Sequence, residues 1–336
     1  MNKEQERILT GMRPTGPLHL GHYVGALENW LKLQQQYDSY FLIADYQALG
    51  DHVDDIKRIR NSVIEVALDW LAVGLDPDKT TFVIQSYVPE HAELTMLLSM
   101  LIPQSQVDHN PTLKAERAAL KDVSNGFVNY PVSQAADILL PKADLVPVGE
   151  DQLPHIELTR KVAVKFNTTY GRVFPIPRAL VGRIPRLVGT DGQAKMSKSL
   201  GNCIYLSDSE TTVNQKIRSM FTDPTHLRVS DPGHVENNPV FIYLDAFHQD
   251  VEELDELKTH YQRGGLGDVT LKQILTKDID DFLRPIRKRR DHFKAHPELV
   301  KQALIEGTLR AKKIAEKTML EVRDAMGITH YEDSIK

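Results

Sequence analysis

A chain of 336 residues is long enough for about two domains, and its 41% hydrophobic and 26% charged residues are close to the averages of globular proteins. The 41 Lys and Arg residues against 46 Asp and Glu residues give a net charge of −5, which excludes a uniformly basic nucleic-acid coat but permits a local basic patch. The single cysteine, Cys203, excludes an intrachain disulfide, and no Cys and His set has the spacing of a structural zinc or iron–sulfur site. We therefore expect a globular fold with no bound protein metal.

Long apolar runs and a secretory leader are not evident in the sequence. No run approaches the roughly 20 residues of a membrane helix, and residues 1–7 contain no apolar stretch of the kind that a signal peptide needs. We therefore expect a cytoplasmic protein.

The first half of the chain alternates β-rich runs with segments of helical periodicity. Strands are predicted at 7–10, 40–44, 81–85 and 144–148. Apolar residues recur at helical spacing between these runs, most clearly at 56–73, where Gly74 should end the helix. This order predicts an α/β fold with a Rossmann-like, doubly wound parallel sheet, and ligands bind such sheets at the carboxyl ends of the strands.

The second half of the chain has a weaker β signal and longer helical patterns. Helices are predicted at 210–220, 251–262, 271–294 and 297–326, and Pro285 should kink the third of them. The sequence therefore predicts a C-terminal all-helical domain.

Two histidines follow the first predicted strand, in a segment that opens a helix. His19 and His22 are three residues apart and so share a face at a helix start, where backbone N–H groups attract phosphate. Gly21 would let a flat base approach the backbone. The alternative is a histidine pair with no ligand; a zinc pair is less favoured because helical zinc ligands are usually four residues apart.

Two lysines with small hydroxyl residues between them lie in a glycine-flanked segment, 189–201. The run Lys195, Met196, Ser197, Lys198, Ser199 has no apolar period, which is typical of a mobile loop that closes over a polyphosphate. The alternative is an ordinary charged loop.

His-x-Gly-His followed by Lys-Met-Ser-Lys-Ser resembles the paired motifs of the class I aminoacyl-tRNA synthetases. Within that class the chain is similar to the bacterial tryptophanyl-tRNA synthetases over essentially its whole length. The stretches that carry this similarity are 11–16, 130–139, 146–152 and 155–160. The resemblance implies activation of tryptophan by ATP with Mg²⁺ to tryptophanyl-adenylate, followed by transfer to tRNA(Trp).

The resemblance also implies an ATP site and a set of catalytic residues. The residues that would act on the phosphates are His19, His22, Lys195, Ser197 and Lys198. The further ATP-binding positions are Arg13, Pro14, Thr15, Gly21, Gly149, Glu150, Asp151, Ile184, Met196 and Ser199. Without the resemblance, residues 149–151 are only a strand-end turn or a helix cap.

The only polar group of a tryptophan side chain is an indole N–H, which donates a hydrogen bond and needs an acceptor. Asp137, in an apolar run, matches the aspartate of the family that binds this group; the alternative is a structural aspartate that caps a turn. By resemblance, the remaining tryptophan-binding positions are Tyr130, Gln134, Gln152, Gln47, Val146 and Val148.

Two positions depart from the best-known branch of the family. Gln47 stands where a histidine is usual, and Arg13 stands where a glutamine is common. Both features resemble the divergent second-type enzymes that some bacteria carry. The iron–sulfur cluster of some relatives is not expected, because the chain has only one cysteine.

Residues 284–294 contain six basic residues and one acidic residue, either a strip for tRNA phosphates or a solvated helix face. The lack of a long apolar run implies no membrane partner, and the resemblance implies a homodimer. It also implies a catalytic domain at 1–187, an anticodon-binding helical domain at 188–300 that includes the lysine-rich loop, and a last helix within 301–336 that packs back on the first domain. The alternative functions are a tyrosyl-tRNA synthetase, a nucleotidyltransferase outside the synthetases and a tryptophan-binding regulatory paralogue.

Overall fold

The computed structural model describes residues 5–118, 122–181 and 187–329, and Ile184 lies outside these residues. Its sheet has five parallel strands in the order β3-β2-β1-β4-β5. The strands are β1 (Arg7–Met12), β2 (Asp38–Ile43), β3 (Thr80–Ile84), β4 (Leu145–Val148) and β5 (Arg178–Val181). The predicted doubly wound parallel sheet is confirmed. The sequence did not predict β5, because this strand has four residues, pairs only with β4 and is partly exposed along its length.

Helices surround the sheet and form the second half of the molecule. In chain order they are α1 (Leu20–His22), α2 (Glu28–Leu33), α3 (Asp45–Asp51), α4 (Ile56–Val73), α5 (Glu90–Ser99), α6 (Gln104–Asp108), α7 (Pro111–Ala118), α8 (Asn125–Leu139), α9 (Leu153–Tyr170), α10 (Glu210–Arg218), α11 (Pro239–Phe247), α12 (Val251–Arg263), α13 (Asp268–Ala295) and α14 (Pro297–Ala325). A π-helical turn, Tyr23–Leu27, joins α1 to α2. The four helices predicted in the second half are confirmed as α10, α12, α13 and α14, and α13 continues through Pro285 as one helix. The sequence did not predict α11, because six of its nine residues are buried and it lacks a polar face.

Alternate side chains of each strand point to opposite faces of the sheet, and a separate hydrophobic core lies on each face. Phe41 and Ile43 of β2 join the core that also contains Trp70 of α4 and much of the helical region. Tyr40 and Leu42, on the other face of the strand, join the core beneath α8, α9 and α14. Both faces of the sheet are therefore covered, which leaves the carboxyl ends of the strands for binding.

Helix α14 lies against β3, the strand at one edge of the sheet. Thr308 Oγ1 accepts a hydrogen bond of 3.1 Å from the Ile84 N–H, and the Arg310 guanidinium donates to the Thr80 carbonyl at 2.9 Å. A Cβ at Gly307 would lie 2.3 Å from the Phe82 carbonyl oxygen, so only glycine permits this approach. The helix thus occupies the edge groups of β3 that no strand pairs. No helix within the described residues is long and apolar enough to cross a bilayer.

Candidate functional site

Two adjoining clefts open at the carboxyl ends of the central strands. The larger has a volume of about 1490 Å³, and the smaller of about 460 Å³. Gly25, Ala26, Gly149 and Gln152 line both clefts, so the two spaces are continuous. The predicted residues that line the larger cleft are Thr15, His19, Gly21, His22, Glu150, Asp151, Lys195, Met196, Ser197, Lys198 and Ser199.

The two histidines lie at the start of α1, directly against each other. The His19 backbone N–H donates to His22 Nδ1 at 3.2 Å, and the ring centroids are 3.8 Å apart. Burial, with Lys198 and Lys195 nearby, lowers the pKa of His19 to about 3, and burial likewise holds the pKa of His22 well below its ordinary value. Both imidazoles are therefore neutral at pH 7. Because His22 Nδ1 accepts a hydrogen bond, its proton is on Nε2, which is left to donate to a ligand.

Gly21 lines the larger cleft and lies close to the lysine-rich loop. Its N–H lies 3.3 Å from Met196 Sδ, and a Cβ at Gly21 would lie 3.0 Å from the His19 ring. Met196 is buried at this contact. In this conformation the loop rests on the helix start, and the approach of a base to the Gly21 backbone stays a prediction.

The lysine-rich loop is tied to the turn that follows β1. Lys198 Nζ donates to the Gly16 carbonyl at 2.8 Å, and the Ser197 N–H donates to Asn202 Oδ1 at 2.7 Å. Burial, with Arg58 nearby, lowers the pKa of Lys198 to about 8. The loop therefore brings to the larger cleft a lysine ammonium group that loses its proton more readily than an exposed lysine does.

Residues 13–15 of the turn after β1 lie in three different environments. The Arg13 guanidinium lies 5.5 Å from the centre of the Tyr130 ring and lines the smaller cleft. Thr15 lines the larger cleft, and its carbonyl accepts from the Arg58 Nη2 at 2.9 Å. Pro14 is buried, and the described cleft walls do not include it.

Asp137 of α8 lies at the inner end of the smaller cleft and is 2% exposed. Its Oδ2 accepts from Gln47 Nε2 at 2.7 Å and its Oδ1 accepts from Gln85 Nε2 at 2.7 Å. His91 Nδ1 lies 2.9 Å from Oδ1 without the alignment of a hydrogen bond. Two amide donors thus hold the carboxylate in an orientation in which its remaining lone pairs can accept from a ligand. Gln85 and His91 were not singled out from the sequence, although Gln85 directly follows β3 and strand ends are where sites occur.

The other predicted tryptophan-binding residues divide into two groups. Gln134, Gln152, Val146 and Val148 line the smaller cleft together with Gln47. Tyr130 instead places its hydroxyl 3.0 Å from His155 Nε2, and its ring lies beneath the Arg13 guanidinium. Its hydroxyl is thus directed at His155.

Three arginines of the predicted basic strip form hydrogen bonds or ion pairs with other residues of the chain. Arg287 contacts Asp280, Arg289 donates to the Ala72 carbonyl, and Arg290 pairs with Asp69 and Glu65. The prediction of a free strip for nucleic-acid phosphates does not hold for these three, because carboxylates and a backbone carbonyl of this chain already contact them.

A family model described as "tRNA synthetases class I (W and Y)" matches residues 1–284 of this chain. The chain belongs to this family. The tryptophan–tRNA ligase of Clostridium longisporum is 51% identical in an alignment of 335 positions that covers 97% of this chain and 98% of that protein. The tryptophan–tRNA ligase of Chlamydia caviae is 46% identical over 98% of this chain and 97% of its own length.

A solved structure of the same family has the same fold throughout. The tryptophanyl-tRNA synthetase of Campylobacter jejuni, complexed with ADP and tryptophan, superposes with a TM-score of 0.86 at 35% identity, over 96% of this chain and 99% of that one. The two continuous clefts of this class I synthetase therefore occur in a fold that binds a nucleotide and an amino acid together in a relative. Among the residues described, no group of three or more His, Cys, Asp or Glu side chains could hold a metal ion.

Proposed function

We propose that this chain is a tryptophan–tRNA ligase, which activates L-tryptophan with ATP and transfers it to tRNA(Trp). The observation that carries this proposal is the buried Asp137 carboxylate at the end of a cleft that opens into the histidine and lysine cleft. The smaller cleft offers an acceptor for an indole N–H, and the larger cleft offers donors for phosphates. The curated relatives at about half identity carry the same activity in their names.

Recognition of tryptophan follows from the hydrogen bonds of Asp137. Gln47 and Gln85 both donate to it, so the carboxylate acts only as an acceptor. A smaller amino acid without a side-chain N–H would leave the remaining lone pairs of that buried carboxylate without a donor, and a site of this kind discriminates by roughly 10⁴–10⁵. Val146 and Val148 would flank the ring, whereas Gln134, Gln152 and Tyr130 would hold the α-amino and carboxylate groups.

Activation is an in-line attack of the tryptophan carboxylate on the α-phosphorus of ATP, with pyrophosphate as the leaving group. Such a step needs orientation and charge stabilisation rather than a protein nucleophile. Lys195 and Lys198 supply positive charge to the leaving group, the Nε2–H of His22 donates to a phosphate oxygen, and Ser197 donates from the loop. Magnesium comes as part of the Mg-ATP substrate.

The remaining roles are assigned by position. Thr15, Gly21, Met196 and Ser199 would surround the base and phosphates of ATP, and residues 149–151, after β4, would hold the ribose. The helical region 188–300 would bind tRNA, the last helix would pack on the catalytic domain 1–187, and two copies would form a cytoplasmic homodimer.

The test is ATP–pyrophosphate exchange with each of the twenty amino acids, followed by charging of unfractionated tRNA. We expect exchange with tryptophan alone and charging of tRNA(Trp). A tyrosyl-tRNA synthetase is the second candidate, because the family model covers both specificities, and exchange with tyrosine would favour it. Adenylate formation without charging would favour a nucleotidyltransferase or a regulatory paralogue.

The pH dependence of ATP use should follow Lys198. Its pKa of about 8 keeps it cationic below that pH and neutral above it. We therefore expect kcat/KM for ATP in the exchange reaction to fall about tenfold per pH unit above pH 8. Lys198→Arg keeps its charge at alkaline pH, so its profile should stay flat to about pH 10. An identical fall in that variant would contradict the assignment.

A further inference from the structure

Helix α13 is tied to α4 by an ion-pair cluster that has no role in the ligand contacts above. Arg290 Nε donates to Asp69 Oδ1 at 2.7 Å, and its Nη2 pairs with Glu65. Asp69 has no exposed surface, and the Arg290 side chain is 11% exposed. A buried carboxylate of this kind is costly unless every oxygen is engaged.

The second oxygen of Asp69 reaches the phosphate-binding segment. Asp69 Oδ2 accepts from the Leu18 N–H at 2.8 Å, directly before His19. On the other side of this segment, the Leu18 carbonyl accepts a hydrogen bond from the Leu206 N–H at 2.9 Å. The Leu20 N–H donates to the Ile204 carbonyl at 2.9 Å. Residues 204–206 follow the lysine-rich loop. The backbone of 18–20 is therefore held between Asp69 and the chain that leaves the loop.

Two neighbouring arginines of α13 reinforce this arrangement. Arg289 donates to the Ala72 carbonyl of α4 at 2.6 Å, and Arg287 donates to the Asp208 carbonyl at 3.1 Å. Asp208 lies just beyond the 204–206 segment. Helix α13 thus contacts both α4 and the chain beyond the loop.

We propose that Arg290 and Asp69 are a positioning pair, which sets the backbone of Leu18 and so places His19 and His22 for the phosphates of ATP. This inference rests on the proposed function. Burial raises the pKa of Asp69 and the Arg290 guanidinium opposes that rise, so the arginine helps to keep an anionic acceptor on the Leu18 N–H. Displacement of phosphate donors by about 1 Å costs on the order of a hundredfold in rate, so small movements of α13 relative to α4 affect activation.

Asp69→Asn tests the pair, because Arg290 and the Leu18 N–H donate to different oxygens of the carboxylate, and the amide replaces one of these acceptors with an NH₂ donor. We expect kcat for tryptophan-dependent pyrophosphate exchange to fall at least about tenfold, with KM for tryptophan within about threefold of wild type. Glu65→Gln is the matched control. Glu65 lies on α4, as Asp69 does, and pairs with Arg290, but within the described residues no hydrogen bond joins it to Leu18. This variant should keep kcat within about twofold of wild type.

A double-mutant cycle with His22→Ala separates positioning from a loss of fold. If Asp69 acts through the histidine segment, Asp69→Asn should cost little more in the His22→Ala background than His22→Ala costs alone. If Asp69→Asn fails to fold, Arg290→Gln tests the same pair. Arg290→Lys should recover part of the kcat that Arg290→Gln loses. The inference is overturned if Asp69→Asn, or Arg290→Gln in its place, matches Glu65→Gln or is fully additive with His22→Ala. Failure of the wild-type enzyme to exchange with tryptophan would instead overturn the proposed function.

Discussion

Asp137→Asn should lower kcat/KM for tryptophan in pyrophosphate exchange about a thousandfold. The variant loses the anionic acceptor for the indole N–H and turns an NH₂ group toward one of the amide donors of Gln47 and Gln85. A lost charged hydrogen bond and a buried unpaired donor together cost about 4 kcal/mol, which corresponds to about a thousandfold. Steady-state exchange at varied tryptophan concentration measures the effect.

Selectivity against an isostere gives a sharper measurement of the same role. An analogue with sulfur in place of the indole N–H should be used poorly by the wild-type protein, and Asp137→Asn should largely abolish that preference. The control is Glu321→Gln, which removes an ion pair with Lys142 at the opposite end of the sheet and should leave selectivity unchanged. If Asp137→Asn retained the preference for tryptophan, Asp137 would be a structural carboxylate.

Lys195→Ala should lower kcat for activation about 10²- to 10³-fold, with little change in KM for tryptophan. Lys195 lines the larger cleft beside Ser197 and Lys198, where charge develops on departing pyrophosphate. A group that donates mainly in the transition state affects kcat by about this factor. Single-turnover formation of the adenylate measures it apart from product release.

The matched control for the loop is Lys161→Ala, at an exposed position on α9 outside both clefts. It should leave kcat unchanged within about twofold, since isolated surface charges contribute little. A result in which Lys195→Ala only raised KM for ATP would assign the lysine to ground-state binding instead.

Four of the five strands and the long helices were predictable because their side chains repeat at the period of their structure. Strand β5 and helix α11 were not, since a four-residue edge strand and a helix that is apolar nearly all round carry no clear period.

The motif residues at the clefts were predictable from types and spacing, whereas their partners were not. Gln85 lies 52 residues from Asp137, and Arg290 lies 221 residues from Asp69. A run of basic residues shows only its charge in the sequence, and the choice between solvent, nucleic acid and a buried carboxylate depends on the tertiary packing. This is why the sequence left residues 284–294 as either a phosphate strip or a solvated helix face, although residues 287, 289 and 290 contact other parts of the chain.

The cover that α14 provides for β3 has a consequence for synthesis of the chain. A ribosome releases β3 more than 200 residues before Gly307 and Thr308, the residues that dock on it, become available. Throughout that interval the unpaired edge of β3 can recruit a strand from another nascent chain. The edge of β3 is thus covered only once α14 has been made, and a ribosome that stalls before position 300 would leave a sheet with an open edge.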